Sequence, residues 1–133
     1  MRRAVLDASV VLKWFKPETE GSDEALVLWR RHRAGELALS APHLLPLEVL
    51  NALGRRGRWA VEELTQVATT IDELAIDFVE PDLTSVATWV GRGLSAYDAA
   101  YVAVAEQERS PLVTADQRLL TIAKDVAVGL AGT

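Results

Sequence analysis

The chain has 133 residues, half of them hydrophobic and a quarter charged, with no cysteine and a formal net charge of -5. This length and composition predict one globular domain over residues 1–133 and exclude a disordered chain or a fibrous repeat. The absence of cysteine excludes disulfides and thiolate metal sites, which favours a cytoplasmic location. No apolar run has the length of a signal peptide or a membrane span, so no membrane association is expected.

Five short apolar runs, each bounded by polar, glycine or proline residues, predict the strands of one sheet. They cover residues 4–6, 37–39, 78–79, 112–113 and 126–128. Helical periodicity lies between them, after Asp7 and in the segments 25–29, 47–53, 64–74, 86–90, 96–108 and 117–124. Strands that alternate with helices predict a three-layer α/β/α sandwich around a five-stranded, mainly parallel sheet.

Three acidic residues stand where a predicted strand ends or a helix begins. Asp7 follows the first strand, Asp116 follows the fourth, and Asp98 lies three residues after Ser95 in a capping-box pattern. Each of the three could simply be a helix cap that accepts backbone N–H groups. In open parallel sheets, however, ligands bind beyond the carboxyl ends of the strands. The same positions would therefore bring these carboxylates together at one edge.

Glu48 is different, because it lies inside the apolar segment 44–53, where capping explains it poorly. Asn51 and Arg55 follow on the same helical stripe, and a solvated helix face is the alternative interpretation. Four clustered carboxylates repel one another and raise one another's pKa unless a cation neutralises them. An all-oxygen set suits Mg²⁺, with Mn²⁺ as an alternative. Zinc is disfavoured, since the two histidines have no recognisable ligand spacing.

Signatures of other enzyme classes are missing from the sequence. It contains no G-x-S-x-G elbow, no phosphate-binding P-loop and no G-x-G-x-x-G turn, which disfavours acyl transfer, nucleotide triphosphate hydrolysis and dinucleotide binding. The net negative charge argues against bulk electrostatic binding of nucleic acid. Basic residues nevertheless cluster in the segments 30–33 and 55–58, so a basic rim around an acidic centre is possible.

Four segments occur in a characteristic order: Asp7-Ala8-Ser9, Glu48-Val49-Leu50-Asn51, residues 95–101 and residues 112–119. Together they resemble the PIN-domain family, specifically the VapC toxins of toxin-antitoxin pairs. This resemblance implies a homodimeric endoribonuclease that is inhibited by a VapB-type antitoxin, whose C-terminal segment covers the active-site groove. Asp7, Glu48, Asp98 and Asp116 match the family's acidic quartet. Ala8 departs from the family pattern, which commonly has Thr or Ser at this position.

We therefore predict that Asp7, Asp98 and Asp116 bind Mg²⁺ and that Glu48 binds the metal or its water. Around them, Ser9, Asn51 and Thr114 would orient the acidic groups, and Arg55 would contact the phosphate of the RNA substrate.

Two other interpretations stay open at this point. A receiver-like phosphoacceptor module would also join acids at strand ends, but it requires adjacent acids after the first strand, where this chain has Asp7 alone. An inert PIN-like scaffold would serve only as a binding surface, and the complete acidic quartet argues against it.

Overall fold

The computed structural model describes residues 2–132, which are organised around a five-stranded sheet. The strands are β1 (Arg3–Leu6), β2 (Ala38–Ala41), β3 (Asp77–Phe78), β4 (Leu112–Val113) and β5 (Ala127–Val128). Their order across the sheet is β3-β2-β1-β4-β5, and each neighbouring pair is parallel. The predicted α/β class is confirmed, with a sheet that is parallel throughout rather than mainly parallel.

Within residues 2–132, seven α-helices connect these strands: α1 (Ala8–Trp14), α2 (Ser22–Arg33), α3 (Leu44–Asn51), α4 (Val61–Glu73), α5 (Leu83–Gly91), α6 (Ala96–Glu108) and α7 (Gln117–Ile122). A π-helical turn (Ala52–Arg56) extends α3, and a 3-10 turn (Leu130–Gly132) follows β5. Helix α1 contacts α2 and α3, and α3 contacts α4, whereas α5 packs on α6. The chain adds β2 and β3 on one side of β1 and then returns to add β4 and β5 on the other side. Because connections between parallel strands are right-handed, this reversal places the two groups of helices on opposite faces of the sheet.

The core lies between the sheet and the helices on either side. Helix α6 is buried along its whole middle section, and six of the seven buried residues there are small Ala or Val side chains flanking Tyr101. Such small side chains allow a helix that is apolar on all sides to approach the central strand β1, which it contacts. This close packing brings the start of α6, with Asp98, to the end of β1.

Four of the five strands have bounds that differ from the prediction by one or two residues: β1 begins at Arg3 instead of residue 4, and β5 begins at Ala127 instead of residue 126. β2 extends through Ala41 instead of ending at residue 39, and β3 is Asp77–Phe78 instead of 78–79. Hydrophobicity marks the buried side chains, whereas backbone pairing defines the strand; the Val79 N–H still donates to the Ala41 carbonyl oxygen at 2.9 Å. Within residues 2–132, no helix combines the length and the apolar character needed to span a membrane.

Candidate metal-binding and active site

The carboxyl ends of β1 and β4 lie side by side at the centre of the sheet. The chain leaves β1 toward β2 on one side and reaches β4 on the other, so the strand order reverses between them. Leu6 pairs with Val113, and the Asp7 N–H donates to the Val113 carbonyl oxygen at 3.1 Å. Asp7 and Thr114 therefore follow two adjacent strand ends, at the point where open parallel sheets bind ligands.

Asp7 is a buried carboxylate that also caps a helix. It is only 5% exposed, and its Oδ2 accepts hydrogen bonds from the Ser9 N–H at 3.4 Å and the Ser9 hydroxyl at 2.6 Å. The Thr114 hydroxyl donates to the same oxygen at 2.9 Å. The capping interpretation of Asp7 is thus correct, but two side-chain hydroxyls add to what a helix cap requires.

Backbone N–H groups hold the two hydroxyl oxygens from the other side. The Ala115 N–H donates to Ser9 Oγ at 2.9 Å, and the Asp116 N–H donates to Thr114 Oγ1 at 3.0 Å. Because an ionised carboxylate can only accept, each hydroxyl donates its single proton to Asp7 Oδ2. Ser9 and Thr114 therefore both act as donors to Asp7, so the lack of a hydroxyl at Ala8 leaves this carboxylate fully supported.

Asp116 and Asp98 begin the helices α7 and α6. Asp116 caps α7, where its Oδ1 accepts from the Arg118 N–H at 2.8 Å and the Leu119 N–H at 3.4 Å. At α6 the cap is Ser95, whose hydroxyl accepts from the Asp98 N–H at 3.1 Å. The Asp98 carboxylate is half-buried at the first turn of α6.

Glu48 is held by a residue that the sequence analysis did not assign to the site. The Tyr101 hydroxyl donates to Glu48 Oε1 at 2.7 Å, which links α3 to α6. Tyr101 lies on α6 one turn after Asp98 and is completely buried. The available signal was a lone phenol within a run of Ala and Val, since a buried hydroxyl needs a hydrogen-bond partner.

Three of the acids share one feature of their hydrogen bonding. Asp7, Glu48 and Asp116 each accept protein hydrogen bonds on one carboxylate oxygen, Oδ2, Oε1 and Oδ1 respectively. No hydrogen bond within residues 2–132 involves their second oxygen, and no buried side-chain oxygen there is left unsatisfied. The second oxygens are therefore not completely buried, and they can accept a further ligand.

The pKa of Asp7 shows how its environment acts on the charge. Burial raises the pKa of this carboxyl group above its usual value. The negative charge of Asp116 raises it as well, whereas the hydrogen bonds from Ser9 and Thr114 lower it. Because burial has the largest effect, Asp7 carries its charge at a cost that a nearby cation would relieve.

The pKa values of Glu48 and Asp98 are raised in the same way. For both groups burial is the largest cause, and the negative charge of Asp7 is a second contribution. Asp98 and Asp116 also interact with each other, whereas Arg118 lowers the pKa of Asp98. Burial and the bond to Glu48 raise the pKa of Tyr101, so its phenol stays a proton donor. The predicted acids thus form one electrostatically coupled group.

Asn51 and Arg55 are not joined to this group. Both are exposed, and within residues 2–132 neither side chain makes a hydrogen bond or an ion pair. Their predicted roles, orienting the acids and contacting phosphate, therefore stay predictions. The basic side chain beside the acids is Arg118, whose guanidinium donates to the Gly93 carbonyl oxygen at 2.6 Å.

The chemistry of the donor atoms suits a hard divalent cation. It offers carboxylate and hydroxyl oxygens, the ligands that Mg²⁺ and Mn²⁺ prefer. Across residues 2–132, no three Asp, Glu or His side chains are close enough to form a complete metal cluster. His32 bonds to the carbonyl oxygens of Leu37 and Leu74, and so has a structural role.

A sequence model of the PIN domain matches residues 4–125 of the chain. The chain belongs to the PIN-domain family. PIN domains are generally nucleases, and this supports the prediction that the protein is a hydrolase that acts on nucleic acid. The predicted family is therefore confirmed, while membership of its VapC branch stays a prediction.

A solved structure extends the likeness to nearly the whole chain. The crystal structure of PAE2754 from Pyrobaculum aerophilum is similar with a TM-score of 0.71 and 29% sequence identity. The match covers 98% of this chain and 92% of that chain. No curated protein sequence matches the chain.

Proposed function

We propose that this PIN-domain protein is a Mg²⁺-dependent endoribonuclease, the toxin component of a type II toxin-antitoxin system. The observation that carries the nuclease proposal is the coupling of Asp7, Glu48, Asp98 and Asp116 at the ends of β1 and β4, where each of Asp7, Glu48 and Asp98 has a raised pKa. Clustered carboxylates at this position need a neutralising cation. Family membership supports a reaction on nucleic acid.

In this proposal, Asp7, Asp98 and Asp116 hold Mg²⁺, and Glu48 holds the ion or its water; Mn²⁺ is the alternative ion. The second carboxylate oxygens of Asp7, Glu48 and Asp116, which accept no protein hydrogen bond within residues 2–132, would be available to the ion. A bound divalent cation supplies positive charge that polarises a phosphodiester and makes a water molecule more acidic. The protein then needs no nucleophilic side chain of its own.

The surrounding residues keep the acids in place and charged. Ser9 and Thr114 donate to Asp7 Oδ2 and so fix the plane of that carboxylate. Tyr101 does the same for Glu48 through Oε1. Groups that are held before the substrate binds need no reorganisation during the reaction, which favours catalysis. Arg118, next to Asp98, adds positive charge at the edge where a phosphate would approach.

The direct test is cleavage of RNA by the purified protein in EDTA and after addition of Mg²⁺. We expect cleavage only when Mg²⁺ is present. In Asp98→Asn the cleavage rate should fall at least a hundredfold, because the ion loses a charged ligand. Asp72→Asn is a matched control, since Asp72 is exposed near the end of α4, outside the acidic group. Equal cleavage in EDTA, or full activity in Asp98→Asn, would contradict the proposal.

The toxin role, the VapB-type antitoxin partner and the homodimer rest on the VapC resemblance. A short antitoxin encoded in the neighbouring reading frame should abolish RNA cleavage when it is added to the purified chain. Light scattering should give twice the chain mass if the protein is a homodimer. Labelling by acetyl phosphate would instead favour a receiver module. A melting temperature that does not change with Mg²⁺ would favour an inert scaffold.

A further inference from the structure

A small hollow opens beside the hydroxyl groups that support Asp7. Its volume is about 300 Å³, and its lining consists of Ser9, Leu12, Lys13, Lys16, Thr19 and Ala115. Ser9 and Ala115 also take part in the hydrogen bonds around Asp7. The lysine hollow, as we name these six residues, therefore lies next to the hydrogen bonds that hold Asp7.

The lysines extend away from the acids along α1. Ser9 and Lys13 are four residues apart, so they lie on the same side of the helix, with Lys13 about 6 Å further along its axis. Lys16 follows shortly after the end of α1 and lines the same hollow. A chain of negative charges that crosses the acidic site along this direction would meet two ammonium groups in succession.

Both positive charges are available to a ligand. Within residues 2–132, neither Lys13 nor Lys16 forms an ion pair with an acidic side chain. The Lys13 ammonium donates to the Glu20 backbone carbonyl oxygen, which leaves two of its three protons. Its carbon stem passes Gly21, where an added Cβ would lie 3.5 Å from Lys13 Cε. A side chain that is already held loses less entropy on binding.

A neighbouring cavity is less suited to a polyanion. It has a volume of about 490 Å³ and shares Lys13 and Ala115 with the lysine hollow. Its lining also includes Glu20 and Glu24, and their negative charges would repel phosphate groups. The lysine hollow contains no acidic residue, so it is the side on which a nucleic acid backbone would leave the acidic site.

We propose that Lys13 and Lys16 bind backbone phosphates of single-stranded RNA next to the scissile bond. This inference rests on the proposed nuclease function and adds the direction in which the substrate runs: from the acids, past Ser9, toward the end of α1. The contact is to phosphate, so it contributes affinity and position without selecting a base sequence.

The test measures binding of a short single-stranded RNA to the Asp98→Asn protein at several salt concentrations. For single strands, each lost phosphate contact reduces the slope of log K against log[salt] by about 0.7, so replacing both lysines by Gln should reduce it by about 1.4. Replacing both by Arg keeps the charges and should retain the slope. Lys124→Gln is the control, because Lys124 is the third lysine of the chain and is exposed just before β5 begins. It therefore lies near the amino end of a strand, whereas the acids lie beyond the carboxyl ends.

Lys16→Gln alone should reduce the slope by about 0.7. This single variant can therefore still be measured if the double variant folds poorly. An unchanged slope in Lys16→Gln and in the double variant, in a protein whose unaltered form cleaves RNA with Mg²⁺, would contradict the lysine inference alone. Failure of the unaltered protein to cleave RNA would instead contradict the proposed function.

Discussion

Replacing Tyr101 with Phe removes the one hydroxyl that joins α6 to Glu48. This hydroxyl lies 2.7 Å from Glu48 Oε1, and the Tyr101 side chain that carries it is completely buried. Phe keeps the ring, so the packing of α6 should stay intact. A hydrogen bond to a charged group contributes about 1.5–3 kcal/mol to stability. Because Glu48 is half-exposed and water can replace part of this, we expect a loss of about 1.5 kcal/mol.

A loss of this size should lower the melting temperature by about 5 °C in a chain of this length. Cleavage of RNA should also become slower, with a larger change in kcat than in KM, since Glu48 is no longer held in place for the reaction. Scanning calorimetry and steady-state cleavage measure the two effects. Tyr97→Phe is the matched control, because Tyr97 lies one turn earlier on α6 and is 66% exposed.

The cause can be separated with a double-mutant cycle. In a Glu48→Ala protein the Tyr101 hydroxyl has lost its acceptor, so Tyr101→Phe should have a much smaller effect there than in the unaltered chain. If Tyr101→Phe melts and cleaves like the unaltered protein, the phenol does not position Glu48, and our account of this carboxylate is wrong.

Two further predictions concern Asp7. Thr114→Val removes the hydroxyl that donates to Asp7 and accepts from the Asp116 N–H, so urea unfolding should show a loss of about 2–3 kcal/mol. Thr121→Val, whose hydroxyl bonds within the exposed side of α7, should cost less than about 1 kcal/mol; equal losses would contradict this. Burial raises the pKa of Asp7 above 3.8, so without metal the folded chain binds this proton more tightly than the unfolded chain. The resulting stability is present below pH 3.8 and is lost as the pH rises through the raised pKa. The melting temperature in EDTA should therefore fall from about pH 4 toward neutrality, and less steeply in Asp7→Asn; the same slope in both proteins would contradict it.

The topology could be predicted because local signals agree with the packing. The buried strands are short runs of apolar residues, and β4 has the predicted bounds, residues 112–113. Helix α6 also has its predicted bounds, residues 96–108, since the Ser95 hydroxyl caps its start and Arg109 ends it in a left-handed conformation at φ 50°. Both signals are local, and so they can be read from the sequence.

The acids could be located from the sequence because strand ends fix their place. Asp7 and Asp116 are ordinary helix caps, yet each follows a strand of the parallel sheet and therefore also lies at its carboxyl edge. The capping bonds use one oxygen of each carboxylate and leave the other for the proposed cation. For this reason a capping role did not exclude a role in the site.

The contacts of Glu48 could not be predicted in this way. Asn51 and Arg55 were assigned by continuing an α-helical stripe from Glu48, but a π-helical turn begins at Ala52. A π turn has a wider repeat, so Arg55 no longer follows the α-helical spacing. The partner of Glu48 is Tyr101 on another helix, and its position depends on how α3 and α6 meet in the folded chain.

The central claim is that the coupled carboxylates form one site for a divalent cation. Calorimetric titration of Mg²⁺ into the metal-free protein tests this without an activity assay. We predict saturable binding in the unaltered protein and in Asp72→Asn, and loss of that binding in Asp7→Asn, since Asp7 lies at the centre of the coupled group. Absence of binding in the unaltered protein, or equal binding in Asp7→Asn, would contradict the claim.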